Sequence, residues 1–435
     1  MNSSGGENIF HGSPLNSIMN AKIGSLSTFS DNNSLPVYSW FKFPAGFSGS
    51  FAYREIRRYS QTNNINLVLD PFAGVGTTVL SGEIAGVKAV GIEAHPFTAK
   101  VAKAKLYWTT EISDFELFAN EVIEKARNMN ASKLDYPELI WKCYSEETLR
   151  KLHNLRISLE EKREETPEYA LTRLALVSIL RPTAKVGTSN IELIQPKKIK
   201  KNPLEPYSAM NERVRSMIED MKKMRSLGAL QIGTILQGDA RNCDGVADRS
   251  VDLVITSPPY LNNFDYADAV RFEMSFMKEV NGWSDLTRKV RKRLVVSCAQ
   301  QTSSSDFNLE SALDDLSTAT FYDDFLNSFE RLRSERTLHG GRKNYHLMVA
   351  GYFSDMKKVW RSLRRVSHDG TIVKFVVGDS APYGIYIPVE RWLGELALES
   401  GFVSYSFEKL RDRNVKWRNR KHKVPLKEGI LTVEG

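Results

Sequence analysis

Two short stretches hold residue types at spacings that can do chemistry. In DPFAGVGTT (70–78) an aspartate ends an apolar run, and Gly74 and Gly76 precede a helix-forming stretch. Glycines at such a turn let backbone approach a ligand closely, and the helix start behind them offers unpaired N–H groups. Asp70 sets a carboxylate where a ligand ammonium can sit. Glu93, seventeen residues after Gly76 at the end of the next apolar run, is placed to accept both hydroxyls of a ribose. No GxxxxGKS or GxxxxGKT pattern occurs, which excludes a P-loop. A third glycine is missing and Asp70 would face a pyrophosphate unfavourably, which argues against a dinucleotide. A nucleoside bearing an amino acid fits better, with its ammonium at Asp70 and its ribose at Glu93; that describes S-adenosyl-L-methionine.

The second stretch, TSPPY (256–260), follows the apolar run VDLVI. Two consecutive prolines fix φ at both positions and remove two backbone donors, so the turn holds its neighbours still. Ser257 offers a hydroxyl, Pro258 a carbonyl, Pro259 stiffness and Tyr260 an aromatic face. A planar base with an exocyclic amine suits this set, stacked on Tyr260 and bonded through its NH2 to Ser257 and the Pro258 carbonyl. Hydrogen bonds that draw the amine nitrogen toward sp3 localise its lone pair, and positioning for in-line attack on a sulfonium methyl supplies much of the rate. Cytosine C5 methylation by a thiolate is disfavoured, because Cys143, Cys243 and Cys298 lie outside both stretches and none follows a proline. Asp265 and Tyr266 are further candidates for the pocket, with helix-start capping the competing role for Asp265.

Residues 65–72 and 87–96 read as strands on either side of a helix, a βαβ unit, and 50–60 has helical spacing. From about 110 to 232 the pattern is helical. Strand runs resume at 229–240, 250–260 and 370–380, with helices at 352–365 and 388–400. GFVSYSFEKL (401–410) and EGILTVEG (428–435) predict a closing antiparallel hairpin. The alternation predicts an α/β fold, a doubly wound and mostly parallel sheet, with 36–109 and 233–435 forming one catalytic domain. Residues 110–232 read as a helical insertion into it, 283–345 as a second, irregular polar segment, and the Ser-, Asn- and Gly-rich 1–35 as a flexible arm.

With 41% hydrophobic and 26% charged residues over 435 positions, the chain is neither wholly disordered nor collagen-like. No transmembrane run and no secretory pattern is read, and three isolated cysteines fit neither disulfides nor a metal site. The expected setting is the cytoplasm of a bacterial or archaeal cell, without a metal and without a membrane. The net charge of +8 is unevenly spread. Residues 194–225 carry nine Lys or Arg against four acids, 288–293 read RKVRKR, and 411–423 hold seven basic residues against Asp412. Three such clusters suit a nucleic-acid surface.

DPFAGVGTT followed by an acidic residue and then TSPPY resembles the amino-methyltransferases of DNA, which modify cytosine N4 or adenine N6. KFPAGFS (42–48) is similar to the family's first cofactor motif, which implies Phe43, Pro44 and Phe47 near the methionine end. GDA (238–240) implies Asp239 near the cofactor adenine, and Phe72 and Thr78 join the cofactor contacts from within the glycine motif. GTIVKFVVGDS (370–380) resembles the late strand that shapes the base pocket. The resemblance spans 42–108, 235–280 and 345–435, and implies a Rossmann-like sheet, S-adenosylmethionine as methyl donor, and double-stranded DNA with the target base flipped out. Many members place the PPY motif before the glycine motif; here the order is reversed, and 110–232 or 283–345 would hold target recognition. Ser before two prolines is more typical of cytosine N4, and Asp or Asn of adenine N6, so Ser257 favours cytosine, with adenine the alternative. An RNA amine methyltransferase and a non-catalytic DNA-binding subunit are the other readings. No stretch resembles a nuclease, so any restriction endonuclease would be a separate chain, and a monomer is the simpler state.

Overall fold

Short apolar runs buried on both faces make parallel strands, and the chain between them must cross the sheet to return. The computed structural model describes residues 29–43, 45–63, 65–129, 133–162, 165–186, 199–302, 307–340, 343–413 and 424–435. After a first helix α1 (Gly49–Thr62) come β1 (Val68–Asp70), α2 (Thr77–Ala85), β2 (Ala89–Glu93) and α3 (Pro96–Leu106). Five helices follow: α4 (Ile112–Asn128), α5 (Glu138–Cys143), α6 (Glu146–Glu160), α7 (Pro167–Thr183) and α8 (Pro206–Ser226). β3 (Gly233–Gln237) and β4 (Val251–Thr256) precede α9 (Arg271–Phe276), α10 (Trp283–Lys289), α11 (Leu309–Leu316), α12 (Tyr322–Leu338) and α13 (Tyr345–Val366). β5 (Ser367–Gly378), α14 (Val389–Glu399), β6 (Ser404–Arg413) and β7 (Leu426–Glu434) complete the chain.

The seven strands lie in the order β3-β2-β1-β4-β5-β7-β6. The first five are parallel, and β7 runs antiparallel between β5 and β6. This is the expected α/β sheet with its antiparallel closing pair. The order reverses between β1 and β4, which pair at Val68–Leu253 and Leu69–Val254. A ligand crevice opens at the carboxyl ends of strands beside such a reversal. The two motifs both sit there, since Asp70 ends β1 and Ser257 follows β4.

Alternation along the strands sends Val68, Leu253 and Ile255 to one core and Leu69 and Val254 to the other. The first core runs through Trp40, Phe97, Trp108, Leu152, Leu176 and Met217, so the helices of 110–232 share one apolar interior with the cofactor half. Asp220 of α8 accepts from Val37 N at 3.2 Å and from Trp40 Nε1 at 3.1 Å, tying that block to the N-terminal segment. The second core packs α13 and α14 on the sheet, with Trp360 stacked on Phe375 at 4.6 Å.

Two expectations change. Residues 283–345 hold α10, α11 and α12 rather than irregular chain, because Phe325, Phe329 and Leu332 recur on one helical face and bury against the second core. The last residues of the expected arm are packed: Asp31 Oδ2 accepts from Ser48 Oγ (2.6 Å) and Ser50 N (3.1 Å), and Asn32 Oδ1 from Gly49 N (2.8 Å), which fixes the start of α1. Residues 1–28 lie outside the described residues.

Candidate active site

The turn after β1 is shaped from beneath. Asp70 is 1% exposed; its carboxylate accepts from Phe72 N at 3.0 Å and from the Thr78 hydroxyl at 2.7 Å. The structure sets Asp70 and Thr78 under the turn, away from the cleft wall. Gly74 (φ 54°) and Gly76 (φ 88°) take left-handed backbone that a side chain resists, and Gly76 caps α2. At the end of β2, Glu93 Oε2 accepts from Gly74 N at 2.6 Å and Oε1 from His95 N at 2.7 Å. Burial pushes the Glu93 carboxyl up to about 7 and that of Asp70 to about 6, against the pull of these hydrogen bonds.

Above the turn lies a cleft open to solvent. Of the expected residues, Phe43, Phe47, Phe72, Gly74, Glu93, Asp239, Ser257 and Pro259 line it. Asp239 is held by Arg241, which donates from Nε (3.0 Å) and Nη2 (2.6 Å) and anchors to Asp355 at 3.1 Å. Gly76, Pro258 and Tyr260 stand back from the wall, and Pro44 lies outside the described residues. An apolar slot with a buried acid at one strand end, a second acid on the next turn and a helix N-terminus suits a cationic amino-acid nucleoside. Among the described residues, no group of three or more His, Cys, Asp or Glu could hold a metal.

The other side of the cleft is built at the end of β4. Ser257 Oγ donates to Val376 O of β5 at 3.1 Å. Tyr260 N donates to Tyr266 Oη at 3.0 Å, and the Arg413 guanidinium lies over the Tyr260 ring, 4.9 Å from its centre. Burial, with Glu428 nearby, raises the Tyr260 phenol well above its ordinary range. Tyr266 lines the cleft. Asp265 instead caps the following turn and clamps buried Arg291 at 2.6 and 2.8 Å.

The sequence reading missed His95, Thr98, Arg293, Leu294 and Val295, which also line the cleft. A signal for His95 was present: Pro96 opens α3, and the residue before it is its cap, His95 Nδ1 accepting from Phe97 N at 3.1 Å. Nothing local marks 293–295. The RKVRKR run is less free than its charge suggests, because Arg288 and Lys289 pair with Asp285 and Arg291 with Asp265. Of the 194–225 cluster, 194–198 lie outside the described residues, as do 414–423 of the last cluster. Cys143, Cys243 and Cys298 are buried, and burial raises their thiols to about 11, 11 and 12, far from a reactive thiolate.

Residues 12–104 match the family described as DNA methylase, of the N6/N4 methyltransferases. The Type II methyltransferase M.BsoBI of Geobacillus stearothermophilus is 23% identical over 434 residues, covering 89% of this chain and 83% of the relative. The Type II methyltransferase M.AvaI of Nostoc sp. is 26% identical over 399 residues, covering 86% and 81%. Among solved structures, an rRNA methyltransferase, aviRa from Streptomyces viridochromogenes, aligns with a TM-score of 0.29 and 9% identity over 96% of this chain and 92% of its own.

Proposed function

We propose, from the premise that this chain is an S-adenosylmethionine-dependent DNA methyltransferase of the N4/N6 amino-methylating family, that it methylates cytosine N4 in double-stranded DNA. The observation that carries the reading is Ser257, the residue type favouring cytosine, on the wall of the same cleft as Gly74 and Glu93. When bound, S-adenosylmethionine supplies an electrophilic methyl on a sulfonium. Glu93 would accept the ribose hydroxyls, Asp239 would face the adenine, and Phe43 and Phe47 would pack the methionine end. Asp70 acts through the shape of the turn, as its bonds to Phe72 and Thr78 suggest.

Ser257 has its own proton committed to the Val376 carbonyl, which leaves its lone pairs to act as acceptors. One amine hydrogen of the flipped base goes to Ser257 Oγ and the other to the Pro258 carbonyl, while Tyr260 offers its ring. The two bonds would hold the amine nitrogen with its lone pair localised and aimed at the methyl that a bound cofactor would supply, with water as the outlet for the surplus amine proton. The helices of 110–232 and 283–345 are the candidates for target recognition. The Type II names of the relatives suit a restriction–modification setting; the proposal adds an endonuclease on a separate chain and a monomer working in the cytoplasm. No helix among the described residues is long and apolar enough to cross a membrane.

The test is mass spectrometry of nucleosides from unmethylated plasmid DNA incubated with the purified chain and S-adenosylmethionine. N4-methylcytosine is the expected product. N6-methyladenine in its place overturns the cytosine reading, and neither product from a chain that binds the cofactor overturns DNA as substrate.

A further inference from the structure

Behind the wall of the cleft, over the ring of the PPY tyrosine, lies a cation that the proposed reaction leaves unused. Arg413 ends β6, its side chain is 13% exposed, and its guanidinium covers the Tyr260 ring at 4.9 Å. Its Nη1 donates to Asp379 O at 3.0 Å, and its Nε lies 3.5 Å from Glu428 Oε2. Glu428 is itself 2% exposed and is held again by Arg411 at 2.9 Å. Gly378 pairs with Glu428 across β5 and β7, and a Cβ there would collide with Arg413 Nη1. A carboxylate, a carbonyl and a glycine from two strands thus hold one guanidinium on the ring of the PPY motif. A buried ion pair is weak evidence for stability, which leaves this guanidinium free for a role in ligand recognition.

The chemistry of the base says what such a fork can read. Beside its amine, cytosine presents N3 and then O2, two adjacent acceptors. Adenine presents N1 and then a C–H. A guanidinium offers parallel donors that match the first pattern and waste one on the second.

We propose that Arg413 is a specificity-determining residue, donating to N3 and O2 of the flipped cytosine and so separating it from adenine. The inference rests on the cytosine reading above. The guanidinium slides off Tyr260 as the base stacks there, while Arg411 keeps Glu428 paired. A cation at this edge draws electron density from the ring and from N4. The contact therefore aids capture of the base and not the methyl transfer, and its loss is read in KM.

The experiment uses the full chain, S-adenosylmethionine and unmethylated plasmid DNA, with Arg413→Lys, Arg413→Gln and wild type compared. Expected are a kcat/KM on cytosine lower by about tenfold to a hundredfold, carried mostly by KM. The affinity for cofactor by calorimetry is expected to be unchanged, and Arg413→Lys, which keeps the charge and loses the fork, to fall with Arg413→Gln. An unchanged kcat/KM in both variants overturns the inference, and so does a loss confined to kcat or to cofactor affinity. Because Arg413→Gln leaves one partner of buried Glu428 missing, Glu428→Gln is measured beside it. That variant keeps the fork, so KM is expected to rise less than in either Arg413 variant, and an equal rise assigns the effect to packing and overturns the role. A wild type that makes only N6-methyladenine removes the cytosine reading itself. A wild type making N4-methylcytosine with indifferent variants removes Arg413 alone.

Discussion

The cofactor side and the base side of the cleft are built on different plans. On the cofactor side, Asp70, Phe72, Gly74, Thr78, Glu93 and His95 come from one unbroken stretch of chain, and the hydrogen bonds that Asp70 and Glu93 accept join residues no more than 19 positions apart, while the Thr78 hydroxyl also lies 3.0 Å from Ile255 O at the end of β4. On the base side, Ser257 bonds to Val376 at a separation of 119, and Tyr260 is covered by Arg413. The glycine turn of the first half is a backbone device whose shape is set mostly by nearby residues; the second half exists only after β4, β5, β6 and β7 have paired. One half can therefore be damaged while the other is left standing.

Removing the Ser257 hydroxyl makes the sharpest test of that separation. Ser257→Ala is expected to lower turnover by about a hundredfold to a thousandfold, the range for one positioned hydrogen-bonding group, with cofactor affinity kept. Single-turnover rates and calorimetry on the same preparation check it, and a parallel loss of affinity would join the two halves into one unit.

Glu93→Ala is expected to act in the opposite sense. It removes the acceptor for Gly74 N and His95 N as well as the one proposed for the ribose, so cofactor affinity is expected to fall by about tenfold to a hundredfold. Asp70→Asn, which keeps its shape beneath the turn, costs less affinity than Glu93→Ala and shows instead as a lower thermal midpoint of the cofactor-free chain. An Asp70→Asn loss larger than that of Glu93→Ala would mean that Asp70 meets the cofactor directly.

The smallest effect is a pH dependence confined to the cofactor side. Burial raises Glu93 to about 7 and Asp70 to about 6, so the folded, cofactor-free chain favours their protonated forms. A raised carboxyl contributes stability at low pH that is lost as pH rises from the unfolded value to the folded one. The cofactor-free thermal midpoint is thus expected to fall between about pH 4 and 7 from these two groups. Ribose hydroxyls donated to Glu93 favour the carboxylate, so cofactor affinity strengthens as pH rises through about 7, with a proton released on binding. Calorimetry in buffers of different ionisation enthalpy reads that proton, and its absence in wild type would place Glu93 as an ionised group from the start.

How much could be read in advance follows the same division. The strand, glycine turn, helix and strand of 65–96 were legible because every preference involved is local: apolar runs, positive φ at Gly74 and Gly76, and a helix start. The SPPY turn was legible for the same reason, since two prolines stiffen the chain wherever it lies. Residues 283–345 were misread because polar residues surround the Phe325, Phe329 and Leu332 spacing, and only the face that these three bury distinguishes α12 from a polar loop. The basic runs misled in a related way, since charge counts along a chain do not show that Arg291 turns inward to Asp265.

The sequence by itself determined the chemistry on offer: a glycine turn with an acid on the next strand, and a stiff Ser-Pro-Pro-Tyr end to another. Tertiary structure alone decided that these face one cleft, that Asp70 lies beneath the turn while Glu93 lines the wall, and that Arg413 covers Tyr260. The physical reason is that backbone preferences are set by adjacent residues. Contacts between distant residues depend instead on which strands become neighbours, and the β1–β4 reversal that joins the two motifs belongs to the sheet and not to any short stretch of chain.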